Sequence, residues 1–128
     1  MGLFSVDCLV ENQQDRKRKV RISKILVDTG SELTWINYQH LEEIGIDTEK
    51  KDLRFKMANG QEITRSVGFA IVRVGKGFTT DEVVFAQKGD LQLLGARTLE
   101  GLNMKVDSRN KKLVAAGPFI AAGNMSVS

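Results

Sequence analysis

A mainly β fold is the expectation for this chain of 128 residues, and three observations carry it. Short runs rich in Val, Ile and Leu recur, as at residues 20–27, 68–74 and 91–94. Glycine-bearing turns punctuate them at Gly30, Asn59-Gly60, Lys76-Gly77 and Gly89-Asp90. Only residues 37–44 and 96–102 read as helices, and both are short. The length suits one domain with a single core.

Taken in order, residues 3–10 are apolar enough for a strand, and residues 11–19 are wholly polar and form a connection. Residues 20–27 alternate, so Val20, Ile22 and Leu26 are expected on one face, with Arg21, Ser23 and Lys24 outward. Gly30 ends that strand, and residues 33–36 return as a short one. Asn37 caps a helix to Ile44, with Leu41 and Ile44 on its inner face and Gly45 at its C-terminal turn. Residues 53–57 and 62–67 flank Asn59-Gly60, which predicts a hairpin with a type I′ turn. Strands follow at 68–74, 82–86 and 91–95, the last buried and closing on Gly95. A helix at 96–102, strands at 104–107 and 112–115, and a small, polar end complete the chain. The expected division is a domain over residues 1–116 and a tail or interface strand over 117–128.

Composition narrows the chemistry. Lys and Arg number 19 against 16 Asp and Glu, so the net charge is only +3. The excess gathers in Arg16-Lys17-Arg18-Lys19, read as a solvated hairpin tip rather than the broad face nucleic acid needs. Cys8 is the only cysteine, which excludes an intrachain disulfide and a cysteine-based metal site. His40 is the only histidine and has no nucleophile motif beside it, so Ser-His and Cys-His chemistry is not expected. The N-terminal residues lack a basic segment followed by a long apolar one, and no run reaches membrane-spanning length. A cytoplasmic location without membrane contact is therefore the expectation.

The chemistry concentrates in Asp28-Thr29-Gly30-Ser31, placed directly behind Ile25-Leu26-Val27. An apolar strand there delivers one carboxylate into a tight glycine turn. A second apolar-glycine unit, Leu93-Leu94-Gly95, lies downstream, with the glycine-tipped hairpin between the two. This ordered set, over roughly residues 3–113, resembles the retropepsin-like aspartic proteases, most closely the small single-domain bacterial and archaeal type. The resemblance implies a closed or partly open β-barrel of the acid-protease type with one or two short helices.

It also implies site residues. Asp28, Thr29 and Gly30 would be catalytic, and because the chain holds one such turn, two Asp28 carboxylates would meet across a homodimer axis. Thr29 would turn its hydroxyl inward, the Gly30 N–H would hold the carboxylate, and Ser31 would bond its outer oxygen. Met57, Ala58, Asn59 and Gly60 would form a flap over an extended peptide or protein substrate, with Ser31 also contacting it. Gly68 corresponds to the glycine that follows such flaps, and Gly95 would let its strand approach the catalytic loop. No metal and no organic cofactor are implied. Other readings stay open from the residues alone: a turn without chemistry, or a non-catalytic module of the same fold that binds a peptide.

Overall fold

The computed structural model describes residues 4–121 and residue 123. Among the described residues nine strands and two helices follow one another as β1 (Ser5–Glu11), β2 (Lys19–Val27), β3 (Thr34–Asn37), α1 (Tyr38–Glu43), β4 (Lys50–Lys56), β5 (Glu62–Val74), β6 (Gly77–Ala86), β7 (Leu93–Leu94), α2 (Ala96–Gly101), β8 (Met104–Asp107) and β9 (Lys112–Ala115). Seven strands form one sheet in the order β1-β2-β7-β3-β6-β5-β4, and β1 also pairs with β5. That extra pairing closes six strands into a ring and leaves β4 outside it. The mainly β fold with two short helices is therefore as expected for a retropepsin. A separate hairpin, β8–β9, lies beyond it.

Strand β5 is the hinge of this arrangement. Residues 62–67 pair with β4, whereas Ile71, Val72 and Arg73 pair with β1 on the same edge. The sequence suggested two strands broken at Gly68; one unbroken strand runs through it because Gly68 is extended there and needs no turn. A Cβ at Gly68 would lie 2.8 Å from Ile46 Cγ2 and 3.1 Å from Phe85 Cε1, so glycine lets the 46–47 connection cross over the strand. At the β1–β5 closure Arg73 Nε donates to Glu11 Oε2 at 2.8 Å, giving the buried Glu11 a partner.

The sheet is buried on two faces, and this explains its continuous apolar runs. Ile25, Val27, Ile36, Val83, Phe85 and Leu94 point into the ring and join the core with Leu41 and Leu99 from the helices and Leu102 just after α2. Their strand neighbours Trp35, Val84, Ala86 and Leu93 point the other way into a second cluster, against which Leu26, Leu53, Phe55 and Ile63 pack. Leu26 thus faces away from Ile22, contrary to the alternation. The cause is a bulge: Lys24 takes φ 57° and the β1–β2 register shifts between Val6 and Cys8, so Ile22 and Ile25 share a face.

The polar connection after β1 is ordered by Asn12. Its Oδ1 accepts from the Gln14 and Asp15 amides, and its Nδ2 donates to the Ile44 and Gly45 carbonyls. Residues 13–19 are exposed, in keeping with a solvated hairpin tip, although Arg18 Nη2 donates to Glu43 O at 3.2 Å and closes the end of α1. Asn37 caps α1 by accepting from the Gln39 amide, and Gly45 has φ 76°, both as expected.

Two further expectations change. Only Leu93 and Leu94 of the 91–95 stretch form a strand. Leu91 is 63% exposed, and Gln92 instead turns its Oε1 to accept the Asn37 amide at 2.9 Å. The 58–60 turn is not type I′: Gly60 has φ 83°, but Asn59 is not left-handed. The Gly60 amide donates to Met57 O and the Met57 amide to Gln61 O, a three-residue loop ending on a glycine bulge. Asn59 Oδ1 accepts from the Gln61 amide, which holds Asn59 in its own local turn. At the C-terminal end, residues 116–121 and 123 carry no helix or strand, and the rest of the expected tail, like Leu3 at the other end, lies outside the described residues.

Cys8 is 3% exposed, and burial, with a smaller contribution from the neighbouring Asp7 carboxylate, pushes its thiol up to about 12. Almost no thiolate then exists at neutral pH. A chromogenic disulfide reagent at mildly alkaline pH is expected to leave the folded protein unlabelled and to titrate one thiol per chain after denaturation; rapid labelling of the native protein would contradict the buried placement.

Candidate active site

Strand β2 ends at Val27, and the ladder it forms with β7 continues one step further: the Asp28 amide donates to Leu94 O at 2.9 Å. The chain then turns tightly. The Ser31 amide donates to Asp28 O at 3.2 Å, and the Gly30 amide donates to Asp28 Oδ1 at 2.9 Å. Gly30 therefore holds the carboxylate through its N–H, as the resemblance implied. Ser31 does not: its hydroxyl donates to Leu33 O at 2.8 Å, because that carbonyl lies beside it at the entry to β3. Thr29 is exposed in this single chain.

The far side of the loop is tied to α2. The Ala96 amide donates to Ser31 O at 2.7 Å and the Arg97 amide to Glu32 O at 3.1 Å. Gly95 sits between these bonds and the one from Asp28. A Cβ there would stand 2.9 Å from Ser31 O and closer still to the Leu33 carbonyl. The strand thus approaches the loop as the sequence suggested, and only a residue without a side chain permits it.

Asp28 opens into a cleft of about 960 Å³. Gly30, Ser31, Met57 and Ala58 line it with Asp28, so the structure brings five of the expected site residues together. Thr29, Asn59 and Gly60 are not on its wall. The floor comes from the second apolar cluster: Leu33, Trp35, Leu53, Phe55 and Leu93. Trp35 and Phe55 meet edge to face, with ring centroids 5.1 Å apart. Sequence reading missed these floor residues. The alternation Leu53-Arg54-Phe55-Lys56 carried a signal for two of them, whereas the unbroken run from Leu33 to Ile36 hides which face Trp35 takes.

Charged groups form the rim. Glu82 accepts Lys50 at 3.1 Å and lies 3.8 Å from Arg97, joining β4, β6 and α2 on one wall. On the other, Arg65 grips Asp90 with two bonds of 2.7 and 2.9 Å, and the Gln87 amide adds a third at 2.8 Å. This pair fixes the 87–92 connection, with Asp90 and Leu91 on the cleft wall, to the hairpin that carries Met57 and Ala58. Hydrogen bonding from Arg65 holds the Asp90 carboxyl below its ordinary value, against an opposing effect of burial. A depressed folded-state pKa stabilises the fold above the unfolded value of ~3.9 and ceases to do so as pH falls through the folded value. The stability difference between wild type and Asp90→Asn is accordingly expected to be full near neutrality and to shrink below about pH 4. Urea unfolding midpoints across that range test it, and a difference independent of pH would exclude the ion pair as its source.

A ring of six strands with two short helices is consistent with the retropepsin fold of the aspartic-protease class, and its Asp-Thr-Gly turn opens into a cleft that Met57 and Ala58 also line. Residues 18–101 match the family described as "gag-polyprotein putative aspartyl protease". The match spans about two thirds of the chain, which belongs to that family. No curated protein sequence matches it.

Proposed function

We propose that the protein is an aspartic endopeptidase that acts as a homodimer, with one Asp28 from each copy. The observation that supports this most is the single Asp-Thr-Gly-Ser turn, whose carboxylate opens into a cleft with an apolar floor. A peptide bond needs both an activated water and a proton donor for its carbonyl oxygen. One carboxylate cannot be base and acid together, so a second copy supplies the partner. Two carboxylates sharing a site cannot both ionise easily and titrate apart, the behaviour typical of aspartic-protease dyads. The ionised member takes a proton from the bridging water, which attacks the scissile carbonyl, while the protonated member donates to the carbonyl oxygen. Protons then return to the leaving amine.

In this reading Thr29, exposed in one chain, reaches across to the partner's loop, and Gly30 orients the carboxylate. Met57, Ala58, Asn59 and Gly60 close over an extended peptide and offer backbone groups to it, with Ser31 at the cleft wall. No metal or organic cofactor is required. Residues 1–116 make the protease domain and 117–128 a tail or an interface strand. Among the described residues no helix is long and apolar enough to cross a membrane; we place the protein in the cytoplasm, in keeping with the lone free thiol of Cys8.

Sedimentation equilibrium paired with a peptide-library cleavage assay from acidic to neutral pH tests the proposal. A dimer that cuts supports it. A stable monomer that cuts nothing would turn the reading to a non-catalytic peptide-binding module, which the cleft of one chain would still serve.

A further inference from the structure

Among the described residues, Thr34 on β3 and Thr98 on α2 are polar side chains with no solvent exposure at all. Neither lines the cleft, yet their hydroxyls are hydrogen-bonded to each other. The Gly95 amide donates to Thr34 Oγ1 at 3.0 Å, and Thr98 Oγ1 donates to Asp81 Oδ2 at 3.2 Å. Asp81 is itself fixed, because its Oδ1 accepts the Glu82 amide at 2.7 Å.

The direction of this chain follows from counting protons. A hydroxyl carries one, and Thr98 gives its proton to the carboxylate. Thr98 therefore accepts from Thr34, whose proton is then committed. Thr34 is left with lone pairs only, and one of them receives the Gly95 N–H. Each member has a single role, and the Asp81 carboxylate sets the sense of the whole run.

Gly95 stands between the two places where the catalytic loop is tied down. Leu94 O on one side accepts from the Asp28 amide, and the Ala96 amide on the other donates to Ser31 O. We infer that Asp81, Thr98 and Thr34 are positioning residues, a buried hydrogen-bonded chain that fixes Gly95 and through it the placement of the Asp28 carboxylate. The inference rests on Asp28 being the catalytic group of the proposed protease. It assigns work to three residues outside the Asp-Thr-Gly turn, none of which meets substrate.

The test uses the full-length chain and a peptide the wild type cleaves. Thr34→Val keeps shape and removes the acceptor for Gly95, and Thr34→Ser restores it. Asp81→Asn, at the partly buried end, guards against a Thr34→Val protein that does not fold. It keeps the acceptor for Glu82 but turns a donor toward Thr98, so the chain holds one proton too many. Both disrupting variants are expected to lower kcat about tenfold or more, since small misplacements of reacting groups are costly. KM should stay within about twofold, because substrate contacts are intact. Thr34→Ser should return kcat to near the wild-type value. Amide exchange followed by NMR should quicken at Asp28 and Ala96 in the disrupting variants more than at core amides of β5. Folded variants with wild-type kcat, or with changes in KM alone, would overturn the inference. If the wild type cuts nothing, the protease reading fails by itself, and the exchange data still decide whether the chain positions the loop: unchanged exchange at Asp28 and Ala96 sinks it.

Discussion

Asp28→Asn is expected to lower peptide cleavage by about 10⁴-fold or more while leaving a folded dimer. The side chain is partly exposed at the cleft, and its bond from the Gly30 amide can be kept by the carboxamide oxygen, so the substitution removes chemistry rather than structure. Co-refolding the variant with wild type adds a sharper reading. In an equal mixture at constant total chain concentration, only about a quarter of random dimers keep both carboxylates. Activity should therefore fall to about a quarter of the all-wild-type value. An enzyme that works within one chain would fall only to about half. Undiminished cleavage by the pure variant would falsify the assignment of Asp28 altogether.

Much of this architecture was legible because its strands are short and its punctuation is strong. Asn37 and Gly45 bracket α1 as their types predict, and the β5–β6 turn falls one residue before the expected Lys76-Gly77, on Gly75-Lys76, with Gly77 opening β6. The turn Asp28-Thr29-Gly30-Ser31 was found by position, directly behind an apolar strand. What stayed hidden depends on distant partners. A bulge at Lys24 reverses the face of Leu26, and nothing in residues 20–27 announces it, since the register on either side of the unpaired Lys24 is set by β1. The Asp7 carboxylate accepts the Lys24 amide at 3.1 Å, a contact 17 residues away in sequence.

The site shows the same division. Local glycine chemistry identified the loop that holds Asp28, but not the cleft floor. Trp35 and Leu93 lie in continuous apolar runs without alternation, as a sheet buried on both faces gives, and such runs hide which side chains face the cleft. Arg65 and Asp90 lie 25 residues apart and were unremarkable as separate charges. Ser31 lost its expected role to a carbonyl two residues on, a choice that backbone geometry makes and composition cannot reveal.

Gly95→Ala is expected to be strongly damaging, both to stability and to the loop that carries Asp28. Gly95 has φ −93° and ψ 175°, ordinary extended backbone for any residue, so conformational strain is not the reason for glycine here. The reason is contact. The new Cβ would press on the Leu33 carbonyl and stand 2.9 Å from Ser31 O, and these are main-chain atoms that no rotamer change can move aside. Relief requires the loop that carries Asp28 to shift as a body, straining the bonds from Asp28 to Leu94 and from Ala96 to Ser31. A loss of about 3 kcal/mol is expected, at the upper end of overpacking effects, and surviving folded protein should have lost most of its cleavage. Gly75→Ala supplies the contrast. That glycine has φ 57°, and a methyl group added there would meet no neighbour within 4 Å, so its cost is conformational, about 1 kcal/mol, and remote from the cleft. Urea unfolding of both variants separates contact from conformation. Equal small losses would mean that the loop yields easily and that Asp28 is held less firmly than its bonds suggest.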